Sequence, residues 1–257
     1  MNADHPGSVH TKTRADAHPD FFAAEAAGLR WLGSAGAPVV EVIDVARDRI
    51  VLSRLSQARP DRDAAQRFGR ALAAVHDAGA ESFGAKPDGF EGQVFIGSRP
   101  MPCRPARSWG EFYATQRVAD FLDIAVEAGN LTAADERDTR AACDRVASGE
   151  FDDDEPPARL HGDLWNGNVM WTPEGVVMID PAAHGGHRET DLAMLALFGC
   201  PLLDAIVGGY GEVHPLRVGW RDRVALHQLH PLAVHAAGHG PGYGQALGEA
   251  ARAVLRS

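Results

Sequence analysis

The segment "LHGDLWNGNVMW" at residues 160–171 limits most strongly what this chain can fold into. It combines a carboxylate, Asp163, with an amide, Asn168, and with two tryptophans, and short apolar segments flank it on both sides. A buried strand disfavours an unpaired carboxylate, and an exposed turn has no need of large apolar rings. The segment therefore predicts a loop that holds polar groups at the floor of a pocket.

A second carboxylate follows at the end of the next apolar segment. "VVMID" ends at Asp180, and Pro181 directly after it prevents the strand from continuing. Taken alone, Asp163 or Asp180 is equally well explained as a turn former or a helix cap. Together with Asn168, they offer the hard oxygen ligands that Mg²⁺ uses when it also holds phosphates. Their order and spacing match the catalytic loops of kinases.

Residues 1–55 contain most of the alternating segments of the chain. Residues 38–55 alternate and are rich in β-branched side chains, which predicts a hairpin, and residues 9–12 predict one further strand. Residues 21–32 have helical spacing, and Glu25 falls on their apolar stripe. An unpaired carboxylate on that stripe would be costly, so a cation is expected to meet it. The same short, Ala-rich helix also allows Glu25 to point outward.

From Asp61 onward, apolar residues recur at the spacing of a helix. Residues 108–129 open with the Ser-x-x-Glu spacing of a capping box and predict a long helix. The Pro- and Gly-rich residues before it predict an ordered loop, and the acidic run 152–155 predicts a solvated loop. Further helices are expected from Thr132 and at 191–198, 220–237 and 243–255.

Composition excludes several classes of function. The formal net charge of −10 argues against nucleic acid as a partner, because duplex binding depends on basic surface. The three cysteines are too scattered for a disulfide framework or a zinc motif, and thiols that stay reduced fit a cytoplasmic protein. No apolar run reaches the length of a membrane span. We expect a cytoplasmic protein that binds neither nucleic acid nor membrane.

Several segments closely resemble the fructosamine kinase (ketosamine-3-kinase) family, which belongs to the kinase-like superfamily of the aminoglycoside phosphotransferases. The resemblance covers most of the chain from about Lys12 onward. The tryptophan after "HGDL" and the pattern "DPA…GHRE.DLAM" are specific to the family, whereas the Asp163–Asn168 motif indicates only the superfamily. The segments that carry it are "LHGDLWNGNVMW", "MIDPAAHGGHRETDLAMLALFG", "FAAEAAGLRWL", "FGRALAAVHDAG", "SWGEFYATQR" and "LHQLHPLAVH".

The resemblance implies an α+β, two-lobed, protein-kinase-like fold. Residues 1–55 would form an abbreviated, strand-rich N-lobe that binds nucleotide, and residues 56–257 a larger helical C-lobe with the catalytic loop. The implied activity is ATP- and Mg²⁺-dependent phosphorylation of a sugar hydroxyl, the 3-hydroxyl of a small or protein-bound ketosamine. An aminoglycoside or amino-alcohol phosphotransferase is the alternative. A weakly active, pseudokinase-like binding module is a further one.

Roles follow from the resemblance position by position. Asp163 would be the catalytic base that receives the proton of the substrate hydroxyl, and Asn168 and Asp180 would be the magnesium ligands. Lys12 would reach the ATP phosphates and pair with Glu25.

Ser53 and Leu55 follow the hairpin at the lobe junction and would offer backbone groups to adenine. At this point the sequence reads "LSRLS" where the family usually has an acidic-aromatic hinge. Backbone contacts tolerate that difference, because they do not depend on the side chain.

Further residues near the catalytic loop have two interpretations each. Trp165 is expected to pack against the sugar, with a core tryptophan as the alternative. His184 and His187 are expected either to fix their loop or to lie near the substrate, and Glu189 is expected near the substrate. Zinc is not expected, despite the i, i+3 spacing of the two histidines. His161 is interpreted as structural. Asp191 either braces the catalytic loop or caps its own helix.

The start of the sequence raises one more expectation. Kinase-like folds place two strands and a phosphate-covering turn ahead of the lysine strand, but only eleven residues precede Lys12. At roughly 3.3 Å per residue, these cannot form two useful strands. We expect poorly covered phosphates and an exposed sheet edge, in a monomer or an edge-paired dimer. Either the natural protein is longer or this is a kinase that binds ATP loosely.

Overall fold

A three-stranded antiparallel sheet opens the fold in this computed structural model, which describes residues 8–257. Strand β3 (Arg49–Ser53) lies between β1 (Val9–Thr13) and β2 (Val42–Ala46). Ile50 and Leu52 of β3 are buried, because alternate residues of a strand face the same side of a sheet. The predicted strand at residues 9–12 and the predicted hairpin are both confirmed.

Among residues 8–257, strand β1 is an edge strand of this sheet, as the order of the strands shows. The expectation that no second strand precedes Lys12 concerns residues 1–7, which lie outside the described residues. Pairing of this edge with a second chain and the lobe boundary at residue 55 both stay predictions.

Helix α1 (Phe21–Ser34) covers the buried face of the sheet. Phe22, Leu29 and Leu32 are buried, which confirms the predicted apolar stripe. Glu25 lies half-buried on the same side and meets Lys12. The expected cation is therefore present, and the outward orientation of Glu25 is excluded.

The rest of the chain is mostly helical. Two predicted helix starts are confirmed by their caps: Asp61 accepts a hydrogen bond from Ala64 N, and Thr132 accepts one from Asp135 N. None of the helices within residues 8–257 combines the length and apolar character that a membrane span requires. The helical elements are α2 (Arg62–Asp77), α3 (Trp109–Phe112), a π-helical segment (Tyr113–Ala119), α4 (Asp120–Glu127), α5 (Ala133–Ala147), α6 (Glu189–Leu197), α7 (Leu203–Val213), α8 (Val224–Ala236) and α9 (Pro241–Val254).

Helix α7 was not predicted, because the glycine-rich segment "IVGGYGEV" has low helix propensity. It forms because it packs closely against α2. A Cβ atom on Gly209 would lie only 2.1 Å from the backbone oxygen of Gln66. The glycines that weaken the local helix signal are thus the residues that allow two helices to approach each other.

Three short antiparallel pairs of strands complete the fold. The segment before α3 was predicted as an ordered loop but contains a hairpin. Its strands have only three residues each, which is too short for an alternating pattern to be recognised in the sequence. The two other pairs hold the predicted catalytic loop between them. The pairs are β4 (Val94–Ile96) with β5 (Arg99–Met101), β6 (Ala158–Leu160) with β9 (His184–Gly186), and β7 (Val169–Thr172) with β8 (Gly175–Met178).

Strand β8 and the residue after it belong to two different apolar clusters. Val176 and Met178 are buried with residues of α2 and α7, whereas Val177 and Ile179 pack on the cluster between α1 and the first sheet. Successive side chains of an extended chain point to opposite sides, so one short segment joins both clusters. Asp180 is placed at the end of this segment, at the junction between the first sheet and the helical part.

The acidic run 152–155 is only in part the solvated loop that its composition predicted: Asp152 and Asp154 are exposed, whereas Asp153 and Glu155 meet internal cations. Asp153 lies 2.8 Å from Arg217 and 3.3 Å from His187, and its side chain is 15% exposed. Glu155 accepts a hydrogen bond from Arg188 at 2.8 Å. The cations that hold these carboxylates come from distant positions in the chain, and local sequence therefore gave no sign of them.

These partners determine how Asp153 responds to pH. Burial alone would raise the pKa of Asp153, but hydrogen bonding and charge from His187, together with Arg217, hold that pKa well below its usual range. A carboxylate with a lowered pKa stabilises the fold when ionised. That stabilisation is complete above the unfolded-state pKa near 4 and is lost as the pH falls below it.

We predict that Asp153→Asn lowers the free energy of unfolding at pH 7 by roughly 1–3 kcal/mol, the typical worth of a charged hydrogen bond. The difference from the parent should shrink as the pH falls below about 4. Urea unfolding at several pH values measures both effects. Asp154→Asn is the matched control, because Asp154 is exposed and has a positive φ of 63° that asparagine tolerates. Equal stability of both variants at pH 7 would contradict the prediction.

Candidate active site

A cavity of about 360 Å³ lies between the first sheet, helix α1 and the loop after β6. It gathers predicted site residues from four separate elements of the chain. These are Lys12, Glu25, Asp163, Trp165, Asn168 and Asp180.

The buried carboxylate of Asp191 fixes the loop that carries Asp163. Asp191 lies in the first turn of α6, and its side chain is only 1% exposed. Its two oxygens accept hydrogen bonds from the backbone N–H of His161 at 2.8 Å and of Gly162 at 3.0 Å. His76 Nε2 lies 3.3 Å from the same carboxylate. Asp191 therefore braces the loop, and it makes no side-chain cap to its own helix.

His161 and Gly162 set the path of the loop. His161 Nε2 donates to the carbonyl of Ile179 at 2.9 Å, and its Nδ1 accepts from the backbone N–H of Asp163 at 3.2 Å. Burial lowers the pKa of His161, which keeps the ring neutral for both bonds. Gly162 has a φ of +81°, and a Cβ there would lie 2.2 Å from the carbonyl oxygen of Ala182. These contacts agree with the structural interpretation of His161.

Asp163 and Asn168 are joined directly. The amide nitrogen of Asn168 donates to the backbone carbonyl of Asp163 at 2.8 Å and to its carboxylate at 3.1 Å. Burial raises the pKa of Asp163 to about 7, opposed by the Asn168 bond and assisted by the charges of Asp180 and Asp191. Asp163 is thus a half-buried carboxylate that takes up a proton near neutral pH.

Asp180 and Asn168 offer oxygen atoms to the same cavity. The side-chain nitrogen of Asn168, Nδ2, donates to Asp163. Its side-chain oxygen, Oδ1, accepts no hydrogen bond from residues 8–257. Asp180 has a φ of 54°, which is uncommon for a non-glycine residue and typical of functional positions. One carboxylate and one amide oxygen are suitable ligands for Mg²⁺, which completes its shell with phosphate oxygens and water.

Lys12 is held between two carboxylates. Its Nζ donates to Glu25 Oε1 at 2.7 Å and also forms an ion pair with Asp180. Burial alone would lower the pKa of Lys12, but the charges of Glu25 and Asp180 outweigh this and raise that pKa above its usual value. The ammonium group therefore stays charged and lies beside the oxygen that would bind the metal.

A second cavity, of about 280 Å³, shares Lys12 and Asp180 with the first. Both predicted adenine contacts line it, but they differ in what they can offer. The N–H of Ser53 already donates to the carbonyl of Glu41 at 3.0 Å. Among the described residues, the N–H of Leu55 has no hydrogen-bond acceptor. Leu55 is therefore the better hydrogen-bond donor for a ligand. Ser53 could offer adenine only its backbone carbonyl.

Trp165 is 37% exposed and lines the first cavity next to Asp163. Its indole meets the ring of Phe198 edge-on, with 5.8 Å between the ring centroids. The core-tryptophan alternative does not describe this position. The ring is available to a ligand that reaches Asp163.

His187 and Glu189 lie elsewhere than predicted. Both are buried, and neither lines the cavity that contains Asp163. Glu189 accepts hydrogen bonds from Arg223 at 2.6 and 2.9 Å, and His187 meets Asp153. Internal partners occupy both side chains, which agrees with the loop-fixing interpretation of His187 and does not support a substrate contact by either residue.

The buried region around His187 and Glu189 contains three potential metal ligands close together. Ligand atoms of His187, Glu189 and His227 lie within 4.8 Å of one another. The Arg223 guanidinium contacts both oxygens of Glu189, so that this arginine already supplies the positive charge beside the carboxylate.

One wall of the first cavity was missed by sequence reasoning. The β4–β5 hairpin contributes Val94, Phe95 and Gly97, and Phe95 packs on Phe21 of α1 with ring centroids 5.3 Å apart. The only sequence signal was a cluster of apolar residues within a Pro- and Gly-rich segment, and such a cluster does not distinguish a wall from a packed loop.

Comparison with known proteins identifies the family. A sequence profile described as fructosamine kinase matches residues 2–257. A Synechocystis protein named as a ketoamine kinase is 32% identical over 244 residues, which cover 92% of this chain and 79% of that protein.

Solved structures agree with this assignment. A Thermobifida fusca protein that carries the name fructosamine-3-kinase has a TM-score of 0.91 and 47% identity, covering 98% of this chain and 86% of that one. The choline kinase of Streptococcus pneumoniae has a TM-score of 0.64 at 14% identity, covering 99% of this chain and 89% of that one. At that identity the likeness shows the fold alone. The predicted two-lobed, protein-kinase-like α+β fold is confirmed, and the chain belongs to the fructosamine kinase family of phosphotransferases.

Proposed function

We propose that this protein transfers the terminal phosphoryl group of ATP to a sugar hydroxyl of a ketosamine, with Mg²⁺ as the metal. The observation that carries the proposal is the meeting of Lys12, Asp163, Asn168 and Asp180 in one cavity. A base, two oxygen ligands for a metal and a cation are the minimum that phosphoryl transfer requires. Membership in the fructosamine kinase family supports the choice of acceptor.

Asp163 acts on the acceptor hydroxyl in this proposal. Its carboxylate accepts the hydroxyl proton while the hydroxyl oxygen forms a bond to the terminal phosphorus and the bond from phosphorus to ADP breaks. The Asn168 amide keeps the carboxylate oriented toward the cavity. A raised pKa suits this role, because a base works best when its pKa lies near the working pH.

The nucleotide would lie across both cavities. Leu55 offers its N–H to adenine, and the apolar walls of the second cavity, Val40, Leu52 and Ile179, enclose the base. Lys12 and the metal ligands lie where the two cavities meet, which suits the phosphates. When bound, Mg²⁺ would neutralise phosphate charge.

A ketosamine fits the charge of the site, as other cationic amines do, and the family is what favours the ketosamine. Its secondary amine is cationic at neutral pH, and the cavity wall presents the carboxylates of Glu25, Asp163 and Asp180 against one lysine. Aminoglycosides and amino alcohols are cationic as well, and are therefore the second candidate class. The Streptococcus choline kinase adds only a likeness of fold to that alternative.

The test of this proposal is ATP consumption with a panel of fructosamines, ribulosamines, aminoglycosides and choline. We expect turnover with the fructosamines or ribulosamines and a product phosphorylated on the sugar. Turnover that is highest with an aminoglycoside or choline would replace the ketosamine by the second class. ATP binding without turnover of any acceptor would indicate a binding module instead.

We predict that Asp163→Asn retains the fold and nucleotide binding but lowers kcat by about 10²–10⁴-fold, the usual worth of a general base. Single-turnover kinetics and ATP titration measure the two properties separately. Glu174→Gln is the control, since Glu174 is an exposed carboxylate in the turn between β7 and β8. Turnover of Asp163→Asn within a few-fold of the parent would refute its role as base.

We also predict that Asp180→Asn weakens ATP binding by roughly tenfold or more when Mg²⁺ is present, as expected for loss of a charged contact. In the absence of Mg²⁺ the loss should be much smaller, because the carboxylate acts through the metal. Asparagine is chosen because it tolerates the positive φ at this position. Calorimetry under both conditions is the measurement, and an equal loss in both would make Asp180 a structural residue.

A further inference from the structure

A row of rings extends from Trp165 away from the catalytic loop. Phe198 follows the last residue of α6, and its ring centroid lies 5.8 Å from that of Trp165 and 4.8 Å from that of His235 in the last turn of α8. His235 in turn lies 5.2 Å from His239 and 5.0 Å from Tyr243 at the start of α9. We refer to Phe198, His235, His239 and Tyr243 as the aromatic strip.

The strip is accessible rather than part of a core. His239 is exposed, and the other three side chains are half-buried. Rings that meet only to fill an interior are normally buried completely, as Phe112, Tyr113 and Phe121 are in the cluster beneath α8. A continuous row of half-exposed rings beside a catalytic cavity is instead typical of a surface that binds ligand.

The chemistry of the strip suits a cationic, partly apolar group. His235 Nδ1 donates to the carbonyl of Pro231 at 2.7 Å, which leaves Nε2 as an acceptor, and that atom has no partner among residues 8–257. Burial lowers the pKa of His235, so the ring is neutral at pH 7 and does not repel a cation. The faces of Tyr243 and Phe198 attract cations and flat apolar groups.

We propose that the aromatic strip binds the amine-derived part of the acceptor, so that this enzyme prefers ketosamines whose amine carries an aromatic or extended apolar substituent. The inference rests on the proposed function. With the sugar placed between Asp163 and Trp165, the substituent on its nitrogen continues onto Phe198 and then onto His235 and Tyr243. The ring of Trp165 is the link between the two parts of the site.

The test uses two acceptors that have the same sugar, the fructose adducts of methylamine and of benzylamine. For the parent enzyme, we expect kcat/KM for the benzylamine adduct to exceed that for the methylamine adduct by roughly five- to tenfold, the usual gain from one aromatic pair. His239→Ala and Tyr243→Ala should each lower this ratio, mainly by raising KM for the benzylamine adduct. The KM for ATP should not change.

Two controls separate loss of the strip from general damage. Tyr243→Phe keeps the ring and should keep the ratio, even if Tyr243→Ala disturbs the packing around α9. Trp220→Ala removes a ring that stacks on Arg221, away from the strip, and should also keep the ratio. A change in folding stability alone lowers turnover of both adducts equally and leaves the ratio intact.

The outcomes distinguish the two proposals. A parent ratio near one, or a ratio that survives both His239→Ala and Tyr243→Ala, would overturn the role of the strip and leave the proposed function standing. If the parent phosphorylates neither the two fructose adducts nor the ribulose adducts of the same amines, the proposed function itself fails, and the inference fails with it.

Discussion

The chemistry of this protein depends on one buried carboxylate that performs no chemistry itself. Asp191 binds the backbone of His161 and Gly162, and this contact fixes the direction in which the following residue, Asp163, enters the cavity. Burial alone would raise the pKa of Asp191, but hydrogen bonding and charge from His76 hold that pKa below its usual value. A charge with so many partners is costly to displace, and it therefore holds the loop rigidly.

The candidate active site lies where the first sheet and helix α1 meet the helical part of the fold. Ion pairs stabilise this junction in addition to apolar packing. Lys12 comes from the first sheet, Glu25 from α1 and Asp180 from the end of β8, and the ammonium group of Lys12 contacts both carboxylates. The apolar residues of β8 pack toward both sides at once. As a result, the groups proposed to bind phosphate and metal are held by the same contacts that join the two parts.

Two groups of buried charge in the described part of the chain have different surroundings. One lies in the cavity, where Asp163 keeps a pKa of about 7 and remains open to ligand. The other is the network of Asp153, His187, Glu189 and Arg223, where each charge meets an internal partner. The two differ in what surrounds the carboxylate: Asp153 and Glu189 meet internal partners and do not line the cavity that contains Asp163, whereas Asp163 forms no ion pair among the described residues and faces that cavity.

The sequence alone determined the strands of the first sheet, most helices and the residue types of the predicted catalytic loop, because these depend on local periodicity, on caps such as Asp61 and on residue types at fixed spacing. Sequence also identified Asp163, Asn168, Asp180, Lys12 and Glu25 as candidates that the fold then brought into one cavity. Only tertiary structure decided the rest. Asp153, Glu155 and Glu189 became structural because arginines from distant positions meet them, and His187 did so because it meets Asp153. Helix α7 formed because its glycines allow contact with α2. The aromatic strip exists because the ends of α6 and α8 lie beside the start of α9. Such outcomes depend on contacts between residues far apart in the chain, which local pattern does not encode.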